Sequence, residues 1–177
     1  MGSVLDAFEA ISTKLDTREF SSKHVPGDIK RKILEAARLT SSGMNIQSWR
    51  FILIQDRSNL KRLAADRTTG KWVEAADFAV IVLIDPKLSV SSLDAGRAIQ
   101  DMGLAAWNFG VASGIYIGLG EASLRKDFAI HDELKPVAVL GFGYPKRKIL
   151  GKKNRKPLEE IAFAERYGQK IKATDFS

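Results

Sequence analysis

The stretch Ala37-Arg38-Leu39-Thr40-Ser41-Ser42-Gly43-Met44-Asn45-Ile46-Gln47-Ser48-Trp49-Arg50-Phe51 is a polar, glycine-containing loop held between two apolar segments. Ahead of it, Pro26 to Leu39 carries Ile29, Ile33, Leu34, Ala36 and Ala37 at helical spacing, which predicts an amphipathic helix with Pro26 as its first residue. Behind it, Phe51 to Ile54 is an unbroken apolar run and predicts a buried strand. A loop fixed by a helix on one side and a strand on the other is where binding residues accumulate. Ser, Asn, Gln and Trp together suit a flat polar heterocycle, with amides for its edges and apolar surface for its face. The same residues also fit a plain helix C-cap and turn, with Gly43 or Asn45 in the left-handed conformation.

Working outward, Phe78-Ala-Val-Ile-Val-Leu-Ile84 is the clearest buried strand and stops at Asp85-Pro86. Val137 to Phe142 is a second, and Ile115 to Ile117 a shorter one leading into the turn Gly118-Leu-Gly120. Helices are expected over 3–15, 57–66, 121–128 and from Pro157. Residues 92–113 are rich in Ala, Met and Leu, and predict a long central helix buried around its circumference. Helices and strands interleave without strict alternation, which predicts an α+β layered sandwich.

The chain has 177 residues and 45% hydrophobic content, enough for one domain with a sizeable core. It has no cysteine, which excludes disulfides, thiolate metal sites and a Cys nucleophile. His24 and His131 lie far apart without metal-ligand spacing, and both are expected on the surface. No apolar run approaches the ~20 residues of a membrane span, and the first residues lack a signal pattern. A soluble cytoplasmic protein is the expectation. The net charge of +7 is local: Lys146 to Lys156 holds seven of the 28 Lys and Arg residues and no acid, and the remaining 21 balance 21 acids. One basic loop points to a local anionic partner or a solvated segment, not to a uniformly basic nucleic-acid binder.

The loop that opens this section resembles the signature A-R-x-A-P-S-x-x-N-x-Q-P-W-x-F of the FMN-dependent nitroreductase family. Ser42, Asn45, Gln47, Trp49 and Phe51 fit; Ser41 and Ser48 replace the two prolines, and Thr40 the second Ala. Three further segments are similar to the family in the same order. Lys14-Leu15-Asp16-Thr17-Arg18 stands where the family has R-x-S-x-R, with Asp16 in place of Ser. Gly114 to Gly120 resembles G-x-x-x-W-I-G, whose backbone lies against the flavin. Lys153-Asn-Arg155-Lys-Pro-Leu-Glu-Glu160 resembles K-x-R-K-P-L-E-E. The likeness spans about residues 4–161.

The resemblance implies a layered α/β/α sandwich with a mainly antiparallel central sheet. It implies a homodimer with FMN at the interface, reduction by NAD(P)H, and nitroaromatics or quinones as acceptors. Lys14, Leu15, Asp16, Arg18, Lys153 and Arg155 would hold the phosphate and flavin edge, Arg by a planar fork and Lys as a point charge. Ser42, Asn45 and Gln47 would reach the ring, and Ile117, Gly118 and Leu119 would lie against it. Lys71 would stand near the pyrimidine, where a positive charge favours the reduced flavin. Lys146, Arg147 and Lys148 are read as solvated. Residues 1–161 would form the FMN-binding domain, and 162–177 an extension wrapping the partner subunit. A different flavin reaction in the same family is the alternative, although the short interval Asp85–Asp94 leaves little room for a lid. A non-enzymatic basic module is the other.

Overall fold

A computed structural model describes residues 6–65, 69–149 and 151–176. Four strands, β1 (Arg50–Ile54), β2 (Phe78–Ile84), β3 (Ala112–Tyr116) and β4 (Lys135–Gly143), form one sheet in the order β1-β2-β4-β3, every pair antiparallel. Two helices, α2 (Gly27–Leu39) and α4 (Ser91–Asn108), cover one face, and α3 (Arg57–Ala65) and α5 (Glu121–Phe128) the other. α1 (Ala7–Thr13) packs on α4, and α6 (Leu158–Ile161) follows the basic segment. This is the α+β layered sandwich expected.

All seven residues of β2 are buried, because both of its faces are covered. Phe78, Val80, Val82 and Ile84 enter the core beneath α2 and α4, while Ala79, Ile81 and Leu83 enter the opposite core with Leu60, Leu63 and Leu124. Phe78 and Phe142 face each other in register and stack at 4.9 Å.

Several expectations change. β1 is an edge strand and only Ile54 is fully buried, because an apolar run carries no information about how many neighbours its strand has. The long helix ends at Asn108 rather than at 113. Gly110 takes φ 70°, and Phe109, Gly110 and Val111 donate their N–H groups back to the carbonyls of Ala106 and Trp107. This left-handed C-cap satisfies the last carbonyls and frees Ala112 to start β3. α4 buries one stripe, including Ala95, Ala98, Met102 and Ala106, and leaves Leu93, Gly96, Arg97 and Gln100 exposed, so it is not buried all round. Pro26 caps α2 from outside and Gly27 is its first residue. α1 occupies only Ala7–Thr13 of the expected 3–15; residues 1–5 and Asp66, at the expected end of the third helix, lie outside the described residues.

Candidate functional site

The segment after α1 runs along the edge strand β3. Asp16 bridges Ser113, Thr17 donates its N–H to the Ser113 carbonyl at 2.9 Å, and Thr17's own carbonyl lies over Gly114. A Cβ on Gly114 would stand 2.4 Å from that oxygen, so glycine is what permits the close approach. Asp16, Thr17, Arg18 and Glu19 with Gly114 and Ile115 line a cavity of about 460 Å³. Lys14, only 15% exposed in its side chain, runs its stem against Gly103 of α4 and pairs with Asp16. The acid that departs from the family pattern therefore faces a lysine, which offsets its charge.

The late basic segment comes to the same place. Lys153 Nζ donates to the carbonyl of Ile11 in α1, and Gly151 lies beside the Leu15 side chain. Arg155 is exposed and turns Nη1 to the Asn154 carbonyl at 2.9 Å. Lys146, Arg147 and Lys148 are exposed, as expected for solvated charges. The segment carrying Lys153 and Arg155 is thus brought against Ile11 and Leu15, next to Lys14 and Asp16, from the opposite end of the chain; among the described residues no hydrogen bond or ion pair joins Arg18 or Arg155 to the other segment.

Lys71 is exposed at the start of a 3₁₀ turn, Lys71–Ala75. Its neighbour Trp72 lies across Gly114 and Gly141, paired glycines of β3 and β4, and a Cβ on Gly141 would stand 2.7 Å from the indole. Trp72 is met edge-on by Tyr116 at 6.0 Å and at a tilt by Phe20 at 6.2 Å. Arg57 fixes the end of the turn, donating to the Ala76 carbonyl at 2.6 Å and to that of Glu74. Asp77, 5% exposed, ties this turn to α2: it accepts from Lys30 at 2.8 Å, His24 Nδ1 at 2.7 Å and the Val25 N–H at 3.1 Å. Burial pushes the Asp77 carboxyl up, but the hydrogen bonds from Lys30, His24 and Val25 outweigh it and hold the group below the usual carboxylate range. His24 is a surface residue, as expected, but one with a defined partner.

Ile117, 74% exposed, Gly118 and Leu119 leave β3 beside this turn. The atom nearest a Cβ on Gly118 would be Thr69 Oγ1 at 3.7 Å. Gly118 is exposed and would meet only this ordinary contact among the described residues, whereas Gly114 and Gly141 are filled by protein.

The loop Ser42–Gln47 does not join this cluster within one chain. It sits at the start of α4, where Gly43 packs on Val90 and donates its N–H to Asp94 Oδ2 at 3.0 Å. Asp94 and Gly103, which touches Lys14, are nine residues apart on α4, or ~14 Å along its axis. The loop backbone is unusual: Met44, Asn45 and Gln47 have φ of 50°, 56° and 55°. Asn45 is left-handed and Gly43 is not, but neither caps α2, which ends at Leu39 with extended Thr40 as its C-cap. Asn45 and Gln47 are exposed, and Gln47 Nε2 donates to the Asn45 carbonyl at 3.2 Å. Asp94 and Trp72 are the residues with structural roles here that sequence reasoning left unassigned. The signal for Asp94 was a lone acid in the first turn of a helix, which has many uses.

Comparison with known proteins agrees with this fold. The family model described as the Nitroreductase family matches residues 11–86. An Archaeoglobus fulgidus protein provisionally named NADH dehydrogenase/NAD(P)H nitroreductase is 30% identical over 80% of this chain and 86% of its own length. A similarly named structure from Bacteroides thetaiotaomicron superposes with a TM-score of 0.83 at 25% identity, covering 96% of this chain and 99% of that one. An FMN-dependent nitroreductase from Clostridium difficile R20291 shares the fold with a TM-score of 0.82 at 19% identity, over 89% and 98%. The fold and these matches define an oxidoreductase scaffold. The chain belongs to the nitroreductase family. Among the described residues no helix is long and apolar enough to cross a membrane.

Proposed function

We propose that this chain is an FMN-dependent oxidoreductase of the cytoplasm, taking electrons from NAD(P)H and delivering them to a small oxidised acceptor such as a nitroaromatic or a quinone. It would work as a homodimer with flavin at the interface. The observation that carries the reading is that the Lys153–Arg155 segment comes against Ile11 and Leu15, at the foot of the Lys14–Arg18 segment that runs along β3. The two segments are about 140 residues apart in sequence and share the chemistry of phosphate binding.

The residues present fit the cofactor. Asp16 engages Lys14 and leaves Arg18, Lys153 and Arg155 without a carboxylate bond among the described residues, a surplus of positive charge suited to a terminal monophosphate. Bound FMN would supply the electron-carrying chemistry, so no side-chain base is required. The chain's own residues would bind and orient. Arg18, Lys153 and Arg155 hold the phosphate. Ile117, Gly118 and Leu119 would offer a backbone edge, exposed at Gly118. Lys71 places a cation at the ring's pyrimidine side.

Asn45 and Gln47 would present amides to the ring held by the partner copy. Their separation from the Lys14 cluster within one chain supports this division between subunits. Exposed Phe8, Ile11, Leu39, Met44 and Leu93 supply apolar surface for such an interface, and residues 162–177 would wrap the partner.

Heating the purified protein and identifying the released cofactor by chromatography tests the proposal. FMN is the expected product. FAD, or no flavin after reconstitution with FMN, refutes it.

A further inference from the structure

We infer that Asp94 is a positioning residue whose buried carboxylate sets the conformation of the flavin-facing loop Ser42–Gln47, and that Ser42 acts as its relay rather than as a direct ligand. The functional half of this inference rests on the flavin reading above.

Asp94 is 0% exposed. A buried carboxylate is costly unless every lone pair is met by a donor. Here Oδ2 accepts from Ser42 Oγ and from the Gly43 N–H, each at 3.0 Å, and Oδ1 accepts from Arg97 Nη1 at 3.1 Å. Two of those three donors belong to a loop about fifty residues away in sequence. The relay continues, because Ser42 Oγ accepts the Gln47 N–H at 2.8 Å. The hydroxyl proton of Ser42 is thus committed to Asp94 and one of its two lone pairs to Gln47, so it has no proton left to donate to a ligand. At the far end Arg50 Nη1 closes on the carbonyls of Gln47, at 2.9 Å, and Trp49, at 2.7 Å.

Between these anchors stand three non-glycine residues in the left-handed region, Met44, Asn45 and Gln47. Each is disfavoured on its own, Asn least. Such a run persists only where the surroundings over-determine it. The chain from Asp94 through Ser42 to Gln47 is that determinant. It fixes the loop that carries the exposed side chains of Asn45 and Gln47 and holds them ready, so that less order is lost when a ring is bound.

The test uses the full-length protein, with Asp94→Asn and Ser42→Ala alone and together. Ser42 is only half-buried, so Ser42→Ala cuts the relay even if Asp94→Asn fails to fold. Hydrogen exchange on the apo-proteins reads the loop directly: the Gln47 N–H should exchange about tenfold or more faster in each variant, with the strands of the sheet unchanged. Titration with FMN should show affinity lower by about 10–100-fold, the range for a hydrogen bond to a charged group. The double variant should be no more than about threefold weaker than the worse single one, because both changes cut one link.

Unchanged exchange at Gln47 overturns the inference. Faster exchange with wild-type FMN affinity overturns the link to flavin, and so would additive losses in the double variant. If the wild-type protein itself takes up no FMN, the flavin reading falls and the functional half of this inference with it; that outcome is told apart by the wild-type titration alone.

Discussion

Two glycines four residues apart should behave in opposite ways when each is changed to alanine. At Gly114 the new Cβ would stand 2.4 Å from the Thr17 carbonyl oxygen and 2.9 Å from the Trp72 ring. The oxygen is backbone and its segment is bonded to Ser113, so relief requires the Asp16–Arg18 segment to lift from β3. Overpacking of this kind costs ~1–3 kcal/mol, and losing the Thr17–Ser113 hydrogen bond adds about 1 kcal/mol. For a domain of this size the sum lowers Tm by on the order of 10 °C. The lifted segment carries Arg18, so FMN affinity should fall with stability. At Gly118 the nearest atom would be 3.7 Å away, an ordinary contact, and the backbone has no positive φ. Gly118→Ala should leave the apo-protein's Tm unchanged or raised slightly, through the lower entropy of the unfolded chain. If flavin lies against this turn, the methyl group would occupy its space and FMN affinity should drop at least about tenfold, the scale of ~1–3 kcal/mol of overpacking. Calorimetry on apo-protein and FMN titration by fluorescence quenching separate the two effects. An apo Tm for Gly114→Ala equal to the wild type would refute the steric argument. Wild-type FMN affinity in Gly118→Ala would remove flavin from the Ile117–Leu119 turn.

Arg155→Ala should weaken FMN binding by ~1.5–3 kcal/mol while Arg147→Ala changes it little, because a hydrogen-bonded phosphate partner is lost in one and a solvated charge in the other; equal affinities in a titration would refute the assignment of Arg155. Asp77→Asn should destabilise the protein by about 2 kcal/mol at neutral pH. Because the folded-state carboxyl of Asp77 lies below its usual value, this stabilisation is present above about pH 4 and is lost as pH falls through the folded value. The gap in Tm between wild type and variant should therefore narrow below about pH 4, and a gap that stays constant to pH 2.5 would contradict the ion-pair account. Deleting residues 163–177 should weaken dimerisation and flavin binding together, read by sedimentation and absorbance; a flavin-loaded monomer would defeat the interface reading.

What was legible in the chain followed from how strongly each signal depends on its neighbours. The run Phe78–Ile84 reads correctly because a strand buried on both faces needs no partner to be recognised. Phe51–Ile54 is equally apolar, yet the sheet order leaves it at an edge, and no local pattern encodes that. α4 was extended too far because apolar residues continue through its cap; the one stop signal was Gly110, whose φ of 70° decides where the helix ends. The site divides in the same way. Lys14, Arg18, Lys153 and Arg155 could be joined in advance only through their resemblance to a family, since nothing in their spacing says that α1 and residue 153 touch. Asp94 could not be found at all: its meaning lies in donors about fifty residues away. Ser42 is legible as a site residue but not in its role, because only the structure shows its proton given to Asp94 and its oxygen accepting from Gln47. A loop in which Met44, Asn45 and Gln47 are left-handed cannot be inferred from residues that individually prefer otherwise. Its shape is imposed from α4, and the exposed amides of Asn45 and Gln47 depend on a carboxylate that is itself fully buried.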